Sequence, residues 1–337
     1  MIYNLESDYT EGALPEIIEA LVSTNLEQTT GYGEDPHCEN ARRLILGAAR
    51  RAAQVFFCVG GTQANMLVLT AALRPHEAAL CVESGHINTH ETGAPEAAGH
   101  KVITVSGADK LTPADIERAL NAHMPIHTAK PRLVYISQST EWGTVYTRDE
   151  LQAIYSLCRQ RGLYLFIDGA RLGCGMAAAG LELSDIAANC DAFTIGGTKN
   201  GALFGEAIVI SAPELAADFS YIMKQRGALL AKGRLLGIQF ERLFSDDLYM
   251  RAARHACAAA QRMAAAFAEK GIPMFIKSPT NQIFPILDSA QFARLSKEVR
   301  CMPMDALDDG RSVVRLATSW ATSDAAVDSV CAAIADM

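Results

Sequence analysis

Leu163-Tyr-Leu-Phe-Ile-Asp-Gly-Ala-Arg171, LYLFIDGAR, is an apolar run that stops abruptly on an acid, a glycine and an arginine. A strand with one face in water alternates apolar and polar residues. This one does not alternate, so both of its faces must be covered. An Asp placed directly after such a strand is costly to desolvate unless it meets a partner, as a helix cap, an Arg171 contact or a ligand would provide.

Six more segments share the texture: VFFCVGG (55–61), AALCVES (78–84), KVITVSG (101–107), RLVYISQ (132–138), AFTIGG (192–197) and EAIVIS (206–211). Helix signatures lie between them. In LTPADIERAL (111–120), Thr112 suits an N-cap and Pro113 the first helical position. In YTRDELQAIYSLCRQRG (146–162), Thr147 and Glu150 have capping-box spacing, Leu151, Ile154, Tyr155 and Cys158 share a face, and Gly162 supplies a stop. The alternation predicts an α/β fold with a mainly parallel sheet sandwiched by helices. From about residue 246 an alanine-rich helix (249–270) leads into NQIFPIL, SVVRLATS and a last helix. The expected division is therefore a large domain over 1–245, with an N-terminal arm, and a small C-terminal α+β domain over 246–337.

The 337 residues suffice for a sizeable core, and a formal charge of −8 argues against nucleic acid or an anionic membrane as partner. The nine cysteines are scattered, without C-x-x-C or zinc spacing, and Cys58, Cys81 and Cys158 lie in apolar runs. They read as small buried hydrophobes in a reducing compartment, with no metal site. The start MIYNLESDYTEG has neither a basic n-region nor an apolar h-region, and no stretch reaches membrane-spanning length. A cytoplasmic protein is expected.

In open parallel sheets, ligands collect beyond the carboxyl ends of the strands. After the first run comes Gly60-Gly61-Thr62-Gln63-Ala64-Asn65, a glycine-rich helix start that suits a phosphate or simply makes a tight turn; it is neither a Walker A nor a dinucleotide fingerprint. After the others come Gly85-His86, Asp168-Gly-Ala-Arg171 and Thr198-Lys199. Taken singly, His86 is a structural histidine and Asp168 a cap or ion-pair partner. Taken together, a phosphate loop, a histidine, a strand-end Asp and a lysine among glycines form the inventory of a pyridoxal phosphate site. The lysine bonds the cofactor aldehyde, the Asp keeps the pyridine nitrogen protonated, and an aromatic ring packs on the cofactor face.

The motifs SDYTEG (7–12), GYGEDP (31–36), GGTQAN (60–65), ESGHI (83–87), IDGARL (167–172), GGTKNG (196–201) and RLATS (315–319), in this order, resemble the threonine aldolase family of fold-type-I pyridoxal phosphate enzymes. The resemblance covers nearly the whole chain. It implies an aminotransferase-like fold, Lys199 as the Schiff-base lysine, Asp168 as partner of the pyridine nitrogen, and Gly61 and Thr62, with Thr198, around the phosphate. It places His86 on the ring, Ser7, Arg171 and Arg315 at the cofactor hydroxyl or substrate carboxylate, and His127 near the substrate hydroxyl. Tyr32 is expected from a neighbouring subunit of a homodimer or homotetramer with shared sites. His86 and His127 are both candidates for the base that takes the hydroxyl proton.

The chain departs from the family at three places. Gly60 stands where a serine is usual, Ser137-Gln138-Ser139-Thr140-Glu141-Trp142 replaces Glu-Asn-Thr-His, and MKQRGALLAKGRLLG (223–237) lacks the glycine run while keeping Lys224, Arg226, Lys232 and Arg234. The implied reaction is cleavage of threonine, allo-threonine or a phenylserine-like amino acid to glycine and an aldehyde. Alternatives are β-elimination, transamination or racemisation with the same cofactor, or a non-catalytic relative of the fold. A nicotinamide dehydrogenase is disfavoured by the missing glycine fingerprint.

Overall fold

The computed structural model describes residues 2–107 and 109–337. In chain order its first strands are β1 (Tyr3–Asn4), β2 (Gln54–Cys58), β3 (Glu77–Val82), β4 (Lys101–Val105), β5 (Lys130–Ser137), β6 (Tyr164–Asp168), β7 (Ala192–Gly196) and β8 (Glu206–Ile210). All seven apolar runs enter one sheet, ordered β2-β8-β7-β6-β5-β3-β4. Five neighbouring strands, β7, β6, β5, β3 and β4, run parallel, and only β8 is antiparallel to its neighbours. The unbroken apolar runs are explained by burial: every residue of β6, β7 and β8 is buried, whereas the edge strand β4 is partly exposed.

One core cluster joins Ile136, Ile167, Phe193 and Val209 to one helical layer; the other joins Tyr135, Phe166 and Ile208 to the helix Gly61–Ala72 on the opposite face. Local signals hold where expected. Thr112 and Asp115 cap the helix Pro113–Ala122, Thr147 and Glu150 cap Arg148–Arg161, and Gly162 ends the latter in the left-handed conformation. All nine cysteines are free, eight of them buried.

The long helix Leu248–Glu269 leads to a second, small sheet of β9 (Gln282–Ile283), β10 (Ile286–Leu287), β12 (Met302–Ala306) and β13 (Ser312–Ala317). Beside it, β11 (Val299–Arg300) pairs in parallel with β1, and Leu5 is buried in the same C-terminal cluster as Val314, Leu316 and Val330. The N-terminal arm therefore packs on the C-terminal sheet before crossing to the large one. Among the described residues no helix is long and apolar enough to cross a membrane.

Candidate active site

The carboxyl ends of β2, β5, β6 and β7 meet at one edge of the large sheet, and the reversed β8 brings its first residue there. Register makes this concrete: Cys58, Glu206 and Gly196 lie in one row, and Ser137 lies opposite Asp168. Because β8 runs backwards, the loop 197–205 is a tight connection. Lys199 sits in it on a short 3-10 turn, Thr198–Asn200. The glycines around it are backbone requirements. Gly201 and Gly205 have φ of +97° and +116°, and a Cβ on Gly205 would lie 2.5 Å from Leu236. Gly205 N donates to Thr198 Oγ1 at 3.0 Å, which fastens the turn. Lys199 Nζ stands 5.9 Å from the centroid of the Tyr9 ring, a cation–π distance.

Asp168 is buried and fully partnered on one side. Its Oδ2 accepts from Asn65 Nδ2 at 2.9 Å and Tyr135 Oη at 2.5 Å, and its Oδ1 accepts from Ala170 N at 2.9 Å. Burial and the adjacent carboxylate raise the Tyr135 hydroxyl well above its ordinary range, so it keeps its proton and donates it to Asp168, while accepting from Ser137 Oγ at 3.5 Å. Asn65 also donates to Glu91 Oε1 at 2.7 Å, and the same oxygen meets His86 Nδ1 at 2.8 Å. Burial opposes the charged His86 ring, but the Glu91 hydrogen bond and the carboxylates of Glu141 and Asp168 outweigh it and raise its pKa.

On the other side, Arg171 and Asp8 form a buried two-pronged pair, and Asn281 adds a 2.8 Å bond to Asp8. Burial alone would raise the Asp8 carboxyl; the Arg171 and Lys199 charges bring it below the ordinary range. Ser7, beside it, is buried. Arg315 donates through Nη2 to Glu6 O at 2.8 Å, while its buried Nε has no partner among the described residues. Burial and the like charge of Arg171 depress its pKa, as expected for two neighbouring guanidiniums. Glu206, also buried, is pushed well above the ordinary carboxyl range by burial and by Asp168, against the pull of Lys199.

The helix Gly61–Ala72 opens at this edge. Gly60 caps it without a side-chain bond, Ala64 N makes the first backbone bond to Gly60 O, and Thr62 is exposed on the first turn. Added Cβ atoms at Gly60 and Gly61 would meet nothing within 4 Å. Free N–H groups, a hydroxyl and open space suit a phosphate. The donor set fits pyridoxal phosphate: an amine at Lys199, a carboxylate at Asp168, a ring at His86, and cations at Arg171 and Arg315.

Within the single chain, His127 and Tyr32 do not lie at this edge; Tyr32 is expected at a neighbouring subunit's site. His127 is exposed in a turn before β5, with its N–H bonded to Met124 O. Asp168 pairs with the far end of that strand. At about 3.3 Å per residue, the strand separates His127 from the site by roughly 25 Å in the single chain. Tyr32, half exposed with φ of 59°, carries Lys224 Nζ 4.3 Å from its ring centroid. It lines a separate cavity of about 500 Å3 with Arg42, Phe56 and Met223.

Sequence reading missed Asp8, Asn65, Glu91, Tyr135, Glu206 and Asn281. Asp8 and Asn65 lie in the family motifs, as neighbours of Ser7 and of the glycine turn, while Tyr135, Glu206 and Asn281 lie in stretches quoted only for their apolar pattern. Asn65 falls three residues after Thr62, on the helix face turned to the sheet.

A model of the family described as beta-eliminating lyase matches residues 4–322. A Pseudomonas aeruginosa protein named low specificity L-threonine aldolase is 36% identical, the match covering 82% of each chain. A second protein of that name, from another Pseudomonas, is 34% identical over 97% of this chain and 96% of its own. A solved structure of a Leishmania major threonine aldolase is 43% identical, covers 99% of both chains and superposes with a TM-score of 0.97.

Proposed function

The chain belongs to the beta-eliminating lyase family, and from that membership and the site geometry we propose that it is a pyridoxal-phosphate-dependent carbon–carbon lyase cleaving β-hydroxy-α-amino acids. Threonine, allo-threonine and phenylserine-like substrates give glycine and an aldehyde. The carrying observation is Lys199 held in the β7–β8 turn beside buried Asp168, with Arg171 and Arg315 at the same edge.

When bound, the cofactor supplies an electron sink for the bond broken at Cα. The rest falls to the chain. The helix start at Gly61 and Thr62, with Thr198, would hold the phosphate, Asp168 would partner the pyridine nitrogen, and Lys199 would carry the cofactor. Asp8 occupies the Nε edge of Arg171, leaving its Nη1 side for the substrate carboxylate; Arg315 Nε and the Ser7 hydroxyl complete that clamp. Fixing the carboxylate selects which bond at Cα is broken. His86 would pack against the cofactor ring, and it takes the β-hydroxyl proton through Nε2, since Nδ1 is engaged by Glu91. The Cα–Cβ bond opens, the aldehyde leaves, and Cα gains a proton to become glycine.

The same proposal includes a homodimer or homotetramer in the cytoplasm, in which Tyr32, and the exposed His127, serve a neighbouring copy's site. It also divides the chain at about residue 246.

The test is twofold. Wild type with pyridoxal phosphate should absorb in the yellow region and release aldehyde from threonine, and Lys199→Ala should do neither. Release of ammonia and a keto acid in place of glycine and aldehyde would transfer the chain to the eliminating reaction. Retention of full activity by Lys199→Ala would overturn the assignment.

A further inference from the structure

A chain of polar side chains joins the two ends of the site, and its middle member, Glu91, does more than occupy the Nδ1 of His86. Asn65 stands on the helix Gly61–Ala72, His86 and Glu91 follow β3, and Asp168 ends β6. Asn65 Nδ2 has two protons and two acceptors, Asp168 Oδ2 at 2.9 Å and Glu91 Oε1 at 2.7 Å. The opposite amide orientation would turn its oxygen toward both carboxyls, so the assignment is forced by chemistry. Glu91 Oε1 receives a second donor, His86 Nδ1, at 2.8 Å. The Glu91 side chain is wholly buried, and Oε2 has no partner among the described residues. A carboxyl group taken out of water costs stability that this arrangement only half recovers. Such a cost is commonly retained where a site needs it.

We propose that Glu91 is a positioning residue for the reaction: it orients the His86 ring with Nε2 toward the substrate and, through Asn65, holds that ring and Asp168 as one unit. This rests on the reading of His86 and Asp168 as residues that meet the cofactor and substrate.

The reason lies in what each contact does. With Nδ1 bound to Glu91, the proton on that nitrogen is fixed, and Nε2 is the only ring atom that exchanges one. His90 stacks on His86 at 5.5 Å between centroids, with 21° between the planes, so the ring is confined both in its plane and across it. The groups facing His86 are Glu91 and His90 from its own segment, Glu141 from the loop after β5, and Asp168 from β6. Of these carboxyls, Glu91 alone is bonded to the ring. Removing its charge therefore changes both when Nε2 is free to accept a proton and how firmly Asp168 is tied to it. Asp168 keeps its bonds from Tyr135 and Ala170, so the loss falls chiefly on the histidine.

Three variants of the full chain separate the possibilities. Glu91→Gln keeps the shape and an oxygen that still accepts from Asn65 and His86, but carries no charge. Glu91→Ala removes the contact, and His86→Phe identifies the histidine signal. The His86 ring is followed by NMR in histidine-labelled protein, with and without pyridoxal phosphate, beside the pH profile of aldehyde release.

In Glu91→Gln the His86 midpoint should fall by about one pH unit or more, and the rising limb of the pH profile should move down with it. Glu91→Ala should lose ten-fold or more in kcat, with little change in KM. If Glu91→Ala does not fold, the Glu91→Gln titration still decides. An unmoved midpoint in folded Glu91→Gln overturns the proposal, and so does an activity loss equal at every pH. The titration in cofactor-free protein is independent of aldolase activity, so failure of the functional assignment would be seen separately.

Discussion

Arg171 and Asp8, 163 positions apart, meet in a fork: Nε to Oδ2 at 2.6 Å and Nη2 to Oδ1 at 3.0 Å, both side chains buried. An arginine expected at the cofactor hydroxyl or the substrate carboxylate thus has a permanent partner on one edge. Substituting Asp8→Ala leaves the Arg171 charge buried and unpaired, a change that costs about 3–5 kcal/mol. Asp8→Asn, which keeps one acceptor, should cost less. Denaturant unfolding gives the stability, and the KM for the amino acid should rise in both variants, because the free guanidinium edge is no longer aimed.

Tyr135→Phe removes one hydroxyl from a buried strand and leaves the shape unchanged. The Asp168 oxygen then keeps only the Asn65 bond, at a stability cost of about 1–3 kcal/mol. Cofactor retained after dialysis, read from the absorption spectrum, should fall relative to wild type.

Gly173 faces the long helix at a crowded crossing. An added Cβ would lie 2.9 Å from Ala253 Cβ and 2.8 Å from Asn200 Oδ1. Gly173→Ala should therefore cost about 1–3 kcal/mol through overpacking. Asn200 follows Lys199 and donates to Tyr249 O, so the displacement should also reduce turnover. A thermal melt alongside steady-state kinetics checks both.

His37 lies between Glu27 and Glu241, at 2.8 and 2.7 Å from its two nitrogens. Burial opposes its charge, and the two carboxylates outweigh it and raise the pKa. The stabilisation is complete below the unfolded value of about 6.5 and is lost as pH rises through the folded value. His37→Ala should thus be less stable than wild type at pH 6, with the gap closing in the alkaline range. The difference should be about 1 kcal/mol or less, since Glu27 is half exposed. Melting temperatures across pH measure it.

The parallel sheet was legible because burial on both faces leaves a direct trace, unbroken apolar runs. Asp168, Lys199 and His86 were legible because a polar residue immediately after such a run lies at the carboxyl edge. The same polarity explains His127, which precedes its strand and so emerges at the opposite edge, whatever its place in a family motif. The supporting carboxyls left no trace of this kind. Glu206 opens an apolar run and looks like an exposed strand start, yet β8 is reversed and carries it into the site. Glu91 sits in a polar loop, HETG, where an acid is ordinary, and its burial depends on Asn65 from another element. Asp8 is brought in by the pairing of β1 with β11, which no local pattern announces.

That pairing bears on how the protein is made. Val299 and Arg300 are synthesised nearly three hundred positions after their partners Tyr3 and Asn4. At 5–20 residues per second the wait is roughly fifteen seconds to a minute. For that time the leading segment has no strand to join, and Asp8 comes to Arg171 without the support of Asn281. Completion of the Asp8 contacts is therefore a late event in synthesis: the strands of the large sheet are all made before the segment that fastens the arm carrying Asp8.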